Sequence, residues 1–455
     1  MEYAKDTIVA NITPLIPSAV GIIRISGDKA LEVGKKLFEL PKDIKPRKAY
    51  FGKIKDKEGN IIDEGLLIYF KAPHSFTGED VIEIYPHGSV PVMKKIISEA
   101  LSLGCRMADR GEFTKRAFLN GKIDLIQAEA IADLIEAKTE KASKIAINLL
   151  EGKLSKKINK LREKLLELIS YIEAEINFPE DVDEIPFETI YKNLEEVIKQ
   201  IEELLKTYKR GELIREGVKL AIVGRPNVGK SSLFNALVGY ERAIVSEYQG
   251  TTRDFLEESI NINGVPIKLL DTAGIRETKD KIEKIGIQKA KEKIEEADIV
   301  LFVFDVSEGL TEEDLKIYEE IKDKNPIIIG NKVDLLKDKT IIDILKEKYY
   351  FNDIIFVSSK TQENLNQLEK IILEKVGLTE YSDTEVYINF RHYNLLKQSK
   401  EKLKELLQNL ENIFDFKEIL MLDIREAEKY LEEVIGTITT EDVLGNIFGR
   451  FCIGK

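Results

Sequence analysis

Residues Val218–Leu237 read VKLAIVGRPNVGKSSLFNAL. A short apolar strand, Leu220–Val223, runs into Gly224-x-x-x-x-Gly229-Lys230-Ser231, and a helix pattern follows with Leu233, Phe234 and Leu237 on one side. Glycines let the backbone turn tightly enough to aim N–H groups at phosphate oxygens, and the helix N-terminus adds positive potential. The stretch Asn227, Val228, Gly229, Lys230, Ser231 and Ser232 is therefore expected to cradle a nucleotide. Lys230 should reach the outer phosphates, and the Ser231 hydroxyl should bind magnesium.

Four more elements follow in the order a GTPase needs. Gly250-Thr251-Thr252-Arg253-Asp254 offers a threonine hydroxyl, Thr252, to complete a magnesium shell. Asp271-Thr272-Ala273-Gly274 places a carboxylate near the metal and an N–H near the γ-phosphate. In Asn331-Lys332-Val333-Asp334, the last carboxylate would accept two hydrogen bonds from a guanine edge, and adenine would leave it unpaired. Ser358-Ser359-Lys360 would close over the base. The five together predict GTP binding.

Two departures from the usual machinery bear on catalysis. The position after Gly274 is Ile275, where Ras-like enzymes carry a water-orienting glutamine. Glu277, Asp280 and Glu283 are the nearby acids that could replace it, and spacing alone does not choose among them. Asn227 could lend an amide oxygen to a monovalent cation that supplies transition-state charge, although Asn is also a common loop former.

The chain of 455 residues has room for about three domains. A net charge of −12 argues against coating nucleic acid by bulk electrostatics and leaves room for a local basic site. Two cysteines, Cys105 and Cys452, are too few for a disulfide framework or zinc cluster. The N-terminus lacks a signal-peptide pattern and no apolar run is long enough to span a bilayer, so the cytoplasm is the expected address, with no membrane partner.

Residues 1–118 read as a small α/β module, with strands at Thr7–Ala10, Ala19–Ser26, Leu66–Phe70 and Val81–Tyr85 and helices near Lys29–Phe38 and Val92–Leu103. From 119 to 212 the pattern is helical. Asp124 with Gln127 suggests a capping box before Ala128–Ala137. Leu154, Ile158, Leu161, Leu165, Leu168 and Ile172 form a heptad seam, and a second helix, Ile190–Tyr208, ends at Lys209-Arg210-Gly211. Six Lys/Arg against one acid in Gly152–Leu165 fit either a solvated helix face or an RNA contact. Residues 213–378 alternate strand and helix, the mark of a mostly parallel sheet, and 379–455 return to helix. The fold expected is multidomain, α/β plus all-α: a Ras-like P-loop GTPase domain inserted into a helical bundle.

Five further stretches stand out: Asp6-Thr7-Ile8-Val9-Ala10, Gly21-Ile22-Ile23-Arg24-Ile25-Ser26-Gly27, Ser75-Phe76-Thr77-Gly78-Glu79-Asp80, Arg116-Ala117-Phe118-Leu119-Asn120-Gly121-Lys122 and the terminal Phe451-Cys452-Ile453-Gly454-Lys455. With the nucleotide motifs, they resemble the MnmE (TrmE) family of tRNA-modification GTPases. The resemblance spans the full length in one domain order. It implies a homodimer formed through the N-terminal domain. It also implies a flavin-containing partner, MnmG, and an aminomethyl-type group placed on the tRNA wobble uridine from a formyl- or methylene-tetrahydrofolate. Folate contacts would fall on Arg24, Glu83, Lys122 and Lys455. A potassium site would use Asn227 with Ser246, Tyr248 and Thr251, and the water-positioning acid would be Glu283. Cys452 resembles the family's functional cysteine, or is a buried small residue. His87-Gly88-Ser89, Asn177-Phe178-Pro179 and Leu15-Ile16-Pro17-Ser18 depart from the usual pattern. Competing readings are a ribosome-assembly or signalling GTPase switch, and a folate-dependent one-carbon enzyme with a regulatory GTPase domain.

Overall fold

The computed structural model describes residues 6–240, 259–270, 292–336, 354–379 and 386–455. They divide into two compact units. The first holds the described residues up to Ile135 together with Leu149–Gln200 and Asn394–Lys455; the second holds Glu136–Asn148 and the described part of Ile201–Tyr393.

The first unit begins with a six-stranded sheet built from β1 (Ile8–Asn11), β2 (Ile23–Ser26), β3 (Ala49–Lys55), β4 (Ile61–Phe70), β5 (Val81–Tyr85) and β6 (Arg106–Met107). The spatial order is β3-β4-β5-β2-β1-β6, with β1 and β6 parallel and the other pairs antiparallel. Strand side chains alternate faces, so Ile23 and Ile25 enter the core opposite Ile84 and Ile82 while Arg24 faces Glu83 on the other side. Helices α1 (Ala30–Leu37) and α2 (Val90–Ser102) cover the apolar face through Val33, Leu37, Met93 and Ile96. Strand β3 fully buries only Ile54, which is why its pattern does not announce a strand.

Helix α3 (Glu112–Leu119) leads to α4 (Leu125–Glu136). The capping box is present: Gln127 N donates to Asp124 Oδ1 at 2.8 Å and Asp124 N to Gln127 Oε1 at 3.0 Å. It stands at the helix start, so α4 begins three residues before the expected Ala128. After α5 (Glu140–Leu150), α6 (Lys153–Asn177) buries all six residues of the heptad seam. Helix α7 (Phe187–Glu216) continues straight through Lys209-Arg210-Gly211. Gly211 is there for space rather than as a break, because a Cβ would stand 2.8 Å from the Tyr387 side chain.

The second unit centres on β7 (Val218–Val223), α8 (Lys230–Tyr240), β8 (Ser259–Ile262), β9 (Val265–Leu270), β10 (Ile299–Asp305), α9 (Glu312–Ile321), β11 (Ile327–Asn331), β12 (Ile354–Phe356) and α10 (Leu365–Lys375). Its sheet runs β12-β11-β10-β7-β9-β8, parallel except for β8 against β9. Helix α5 adds Ala142 and Ile145 to this core beside Leu213, Ile214 and Ile260.

The tail forms α11 (Phe390–Ile413), α12 (Lys417–Ile435) and α13 (Glu441–Phe448). Helix α12 buries Leu420, Ile424, Ala427, Leu431 and Val434. Ion pairs Arg162–Glu428 (2.8 Å), Arg425–Glu173 (3.3 Å) and Lys417–Glu175 (3.2 Å) set α12 antiparallel to α6, so the seam finds its partner in the tail.

Candidate functional site

Strand β7 has β10 on one side and β9 on the other, so the loops leaving the carboxyl ends of β7 and β10 diverge and open a crevice. The phosphate loop lies there. Gly224 has φ +158 and a Cβ would meet the Val303 carbonyl at 2.1 Å, so only glycine allows this approach. Asn227 is left-handed, at φ 64. Lys230 Nζ donates to the carbonyls of Gly224 and Arg225, each at 2.7 Å. Burial pulls its ammonium below the ordinary lysine value. No carboxylate among the described residues pairs with it, a charge environment that fits an arriving phosphate.

The guanine-recognition segment is tied to this loop. Asn331, buried at the end of β11, donates from Nδ2 to the Val228 carbonyl at 3.0 Å and accepts from Ser359 N (3.1 Å) and Ser359 Oγ (2.9 Å). Lys332 Nζ donates to the Asn227 carbonyl at 2.8 Å and to Asp305 Oδ2 at 2.6 Å. Asp334 Oδ1 accepts from Ser358 Oγ at 2.6 Å. The structure thus gathers Asn227, Val228, Lys230, Asn331, Lys332, Asp334, Ser358 and Ser359 around one crevice. Ser231, Ser232 and Lys360 follow directly on these segments. Ser246, Tyr248, Thr251, Thr252, Asp271, Thr272, Ala273, Gly274 and Glu283 lie outside the described residues.

Two positions escape motif reading. Asp305, at the carboxyl end of β10, anchors Lys332. Burial pushes its carboxyl up, but Lys332 and Ser307 outweigh that and hold it below the usual carboxylate range. Arg225, inside the loop, donates from Nε to Asp314 Oδ2 at 3.1 Å and pairs with Glu308. The signal that could have found Asp305 is its place at a strand's carboxyl end next to the crossover point.

In the first unit, Arg24 Nε donates to Glu83 Oε1 at 2.8 Å, and Tyr85 Oη donates to Glu83 Oε2 at 2.5 Å. The Arg24 guanidinium lies 4.9 Å from the Phe76 ring centroid and 5.5 Å from that of Phe113. Phe113 N donates to the Lys455 carbonyl at 3.1 Å, and Lys122 Nζ to the Pro73 carbonyl at 2.9 Å. Arg24, Glu83, Lys122 and Lys455 therefore sit around the loop carrying Phe76 and the start of α3. Gly454, at φ +100, fits against the Asn11 carbonyl, where a Cβ would come within 2.2 Å. Cys452 beside it is exposed, which excludes the buried reading, whereas Cys105 is buried and its thiol is pushed up to about 11 by burial.

The parallel sheet, phosphate loop and linked recognition segment define a P-loop protein built for a guanine nucleotide. Residues 125–452 match the family model for the MnmE helical domain, and residues 7–122 match that for the GTP-binding protein TrmE N-terminus. The tRNA modification GTPase MnmE of Aquifex aeolicus is 52% identical over 99% of this chain and 100% of its own length. Those of Acetivibrio thermocellus and Bacillus subtilis are 43% and 39% identical, covering 100% and 99% of this chain and all of their own. The chain belongs to the MnmE family of tRNA modification GTPases, and it is a GTP hydrolase. No helix among the described residues is long and apolar enough to cross a membrane.

Proposed function

We propose that the chain is a potassium-activated GTPase that works as a homodimer with a flavin-containing MnmG partner. Its substrate is tRNA, on whose wobble uridine the complex installs an aminomethyl-type group using a tetrahydrofolate one-carbon unit. The observation that carries this reading is the coexistence, in one chain related to MnmE along its whole length, of the guanine-nucleotide crevice and the Arg24–Glu83 pair in the first unit.

Ser231 and Thr252 would hold magnesium, which screens phosphate charge when bound. The side-chain amide of exposed Asn227 has no partner among the described residues, while its carbonyl is engaged by Lys332, so its oxygen suits a weakly hydrated cation. Ser246, Tyr248 and Thr251 would complete that shell, and Glu283 would orient the attacking water in place of the missing glutamine. Lys230 exchanges its carbonyl partners for phosphate oxygens, and Asp334 selects guanine. In the first unit, Arg24 and Lys122 offer cations to folate carboxylates, Glu83 accepts from the pterin ring, and Lys455 adds a further cation. Cys452, exposed at the same end, is available for chemistry on the RNA.

Two measurements separate this from the competing readings. Tetrahydrofolate should bind the full chain and bind more weakly to Glu83→Gln; a switch GTPase would bind none. Deleting the protein should remove the wobble modification from cellular tRNA, and intact modification would reject the reading.

A further inference from the structure

Helix α6 carries its charge in the sense that opposes its own macrodipole. From Lys153 to Lys164 it has six cations (Lys153, Lys156, Lys157, Lys160, Arg162, Lys164) and the single acid Glu163. From Leu165 to Asn177 it has Glu167, Glu173 and Glu175 and no Lys or Arg. Helices are stabilised by the reverse, acids in the first turn and cations in the last. The first turn of α6 has no acid, and its cap is Gly152, which has no side chain to accept from the first N–H groups.

Packing accounts for only part of this charge. Arg162 pairs with Glu428 and Glu432, Lys164 with Glu196 at 2.5 Å, and Lys153 with Glu151 at 3.2 Å. Lys156, Lys157 and Lys160 are exposed and have no ion-pair partner among the described residues. They share a face at i, i+1 and i+4, flanked by Lys153 and Lys164. At 1.5 Å per residue the stripe from Lys153 to Lys164 is about 16 Å long, the reach of several phosphates.

The surroundings decide between a protein and a nucleic acid. No large apolar side chain is exposed between Glu151 and Leu165, and a protein interface needs such an anchor at its centre. A bare cationic surface suits phosphates, which are held by charge alone. In a chain of net charge −12 the patch is local rather than a general excess of cations.

We propose that this face of α6, centred on Lys156, Lys157 and Lys160, holds the phosphate backbone of the RNA substrate. The inference rests on the tRNA reading above. Such contacts set the position of the RNA and carry no base identity.

The test is binding of an unmodified tRNA transcript to the full-length chain across a salt series, comparing the native protein with K156E/K157E/K160E. Losing three phosphate contacts should lower the slope of log affinity against log salt by about two to three. Equivalently, a component of affinity that falls about 20- to 40-fold between 50 and 200 mM salt should vanish. K156R/K157R/K160R should bind like the native chain. So should K35E/K42E/K94E, which changes net charge equally at exposed lysines elsewhere. In K156E/K157E/K160E, RNA-free GTP turnover should stay native and, since acids near the helix start suit its dipole, the thermal midpoint should not fall below native, which shows that it folds. A native slope in that variant overturns the proposal, as does equal weakening in the control triple. Retained RNA binding with loss of an acidic protein partner also overturns it and assigns the face to that protein. If the native chain binds no tRNA at any salt, this proposal falls, whereas the tRNA reading falls only if wobble modification survives deletion of the protein, so the two failures are distinguishable.

Discussion

Replacing Asp305 by Ala removes the carboxylate that fixes Lys332 over the phosphate loop. The pair is close, 2.6 Å, with the Asp305 side chain 4% exposed and that of Lys332 31% exposed. A hydrogen bond to a charged group contributes about 1.5–3 kcal/mol, and the partial exposure of Lys332 argues for the lower half of that range. A loss of about 1.5–2 kcal/mol corresponds to roughly 10- to 30-fold weaker nucleotide binding. Asp305 also accepts from Ser307 N at 2.9 Å and Ser307 Oγ at 2.6 Å, so part of the effect will appear as lower stability. Ser307→Ala separates the two, because it removes the hydroxyl contact and leaves the Lys332 pair. Fluorescent GDP titration and thermal unfolding of native, Asp305→Ala, Asp305→Asn and Ser307→Ala proteins make the comparison. Asp305→Ala should lose affinity, Asp305→Asn should lose less, and Ser307→Ala should lose stability alone. GDP affinity within twofold of native in Asp305→Ala would refute the claim that this carboxylate positions Lys332.

Arg116→Ala should destabilise the first unit by about 3 kcal/mol in urea unfolding, because Arg116 is 1% exposed and its loss leaves Glu79 without this cation while Asp6 and Glu112 keep Arg106; a loss below about 1 kcal/mol would contradict that. His87 is held above its ordinary value by the hydrogen bond and charge of Asp63, so this pair stabilises fully below about pH 6.5, and its contribution is lost as pH rises through the folded value. NMR titration should place His87 above 6.5 and return it toward 6.5 in Asp63→Asn; an identical titration in both proteins would exclude the coupling.

The parts legible in the sequence are those whose geometry is local. The phosphate loop needs its strand, glycines and helix in one run, and β7 and α8 supply them in order. The heptad seam of α6 predicts a buried face, and the return to helix after the nucleotide-binding segment predicts that the tail covers it; the antiparallel packing of α12 supplies that partner. What escaped depends on long-range neighbours. Asp305 meets Lys332 only because β10 lies beside β11 in register, with Asp305 opposite Asn331. Helix α5 looks like any amphipathic helix, yet Ala142 and Ile145 belong to the core of the nucleotide-binding unit. Gly211 reads as a breaker on propensity, and the bulk of Tyr387 explains it instead. The resemblance groups Arg24 and Glu83 as folate contacts without saying how they lie, and the antiparallel register of β2 and β5 makes them a directly opposed pair.

The account depends most on Asn227, left-handed in the phosphate loop with its carbonyl held by Lys332 and its amide oxygen available to a cation. GTP turnover by the full-length chain in potassium and in sodium at matched ionic strength, with native protein and Asn227→Ala, tests that role directly. The expected result is clearly faster turnover in potassium for the native chain and no such preference in the variant. Equal rates in both salts for the native chain, or an unchanged potassium preference in Asn227→Ala, would contradict it.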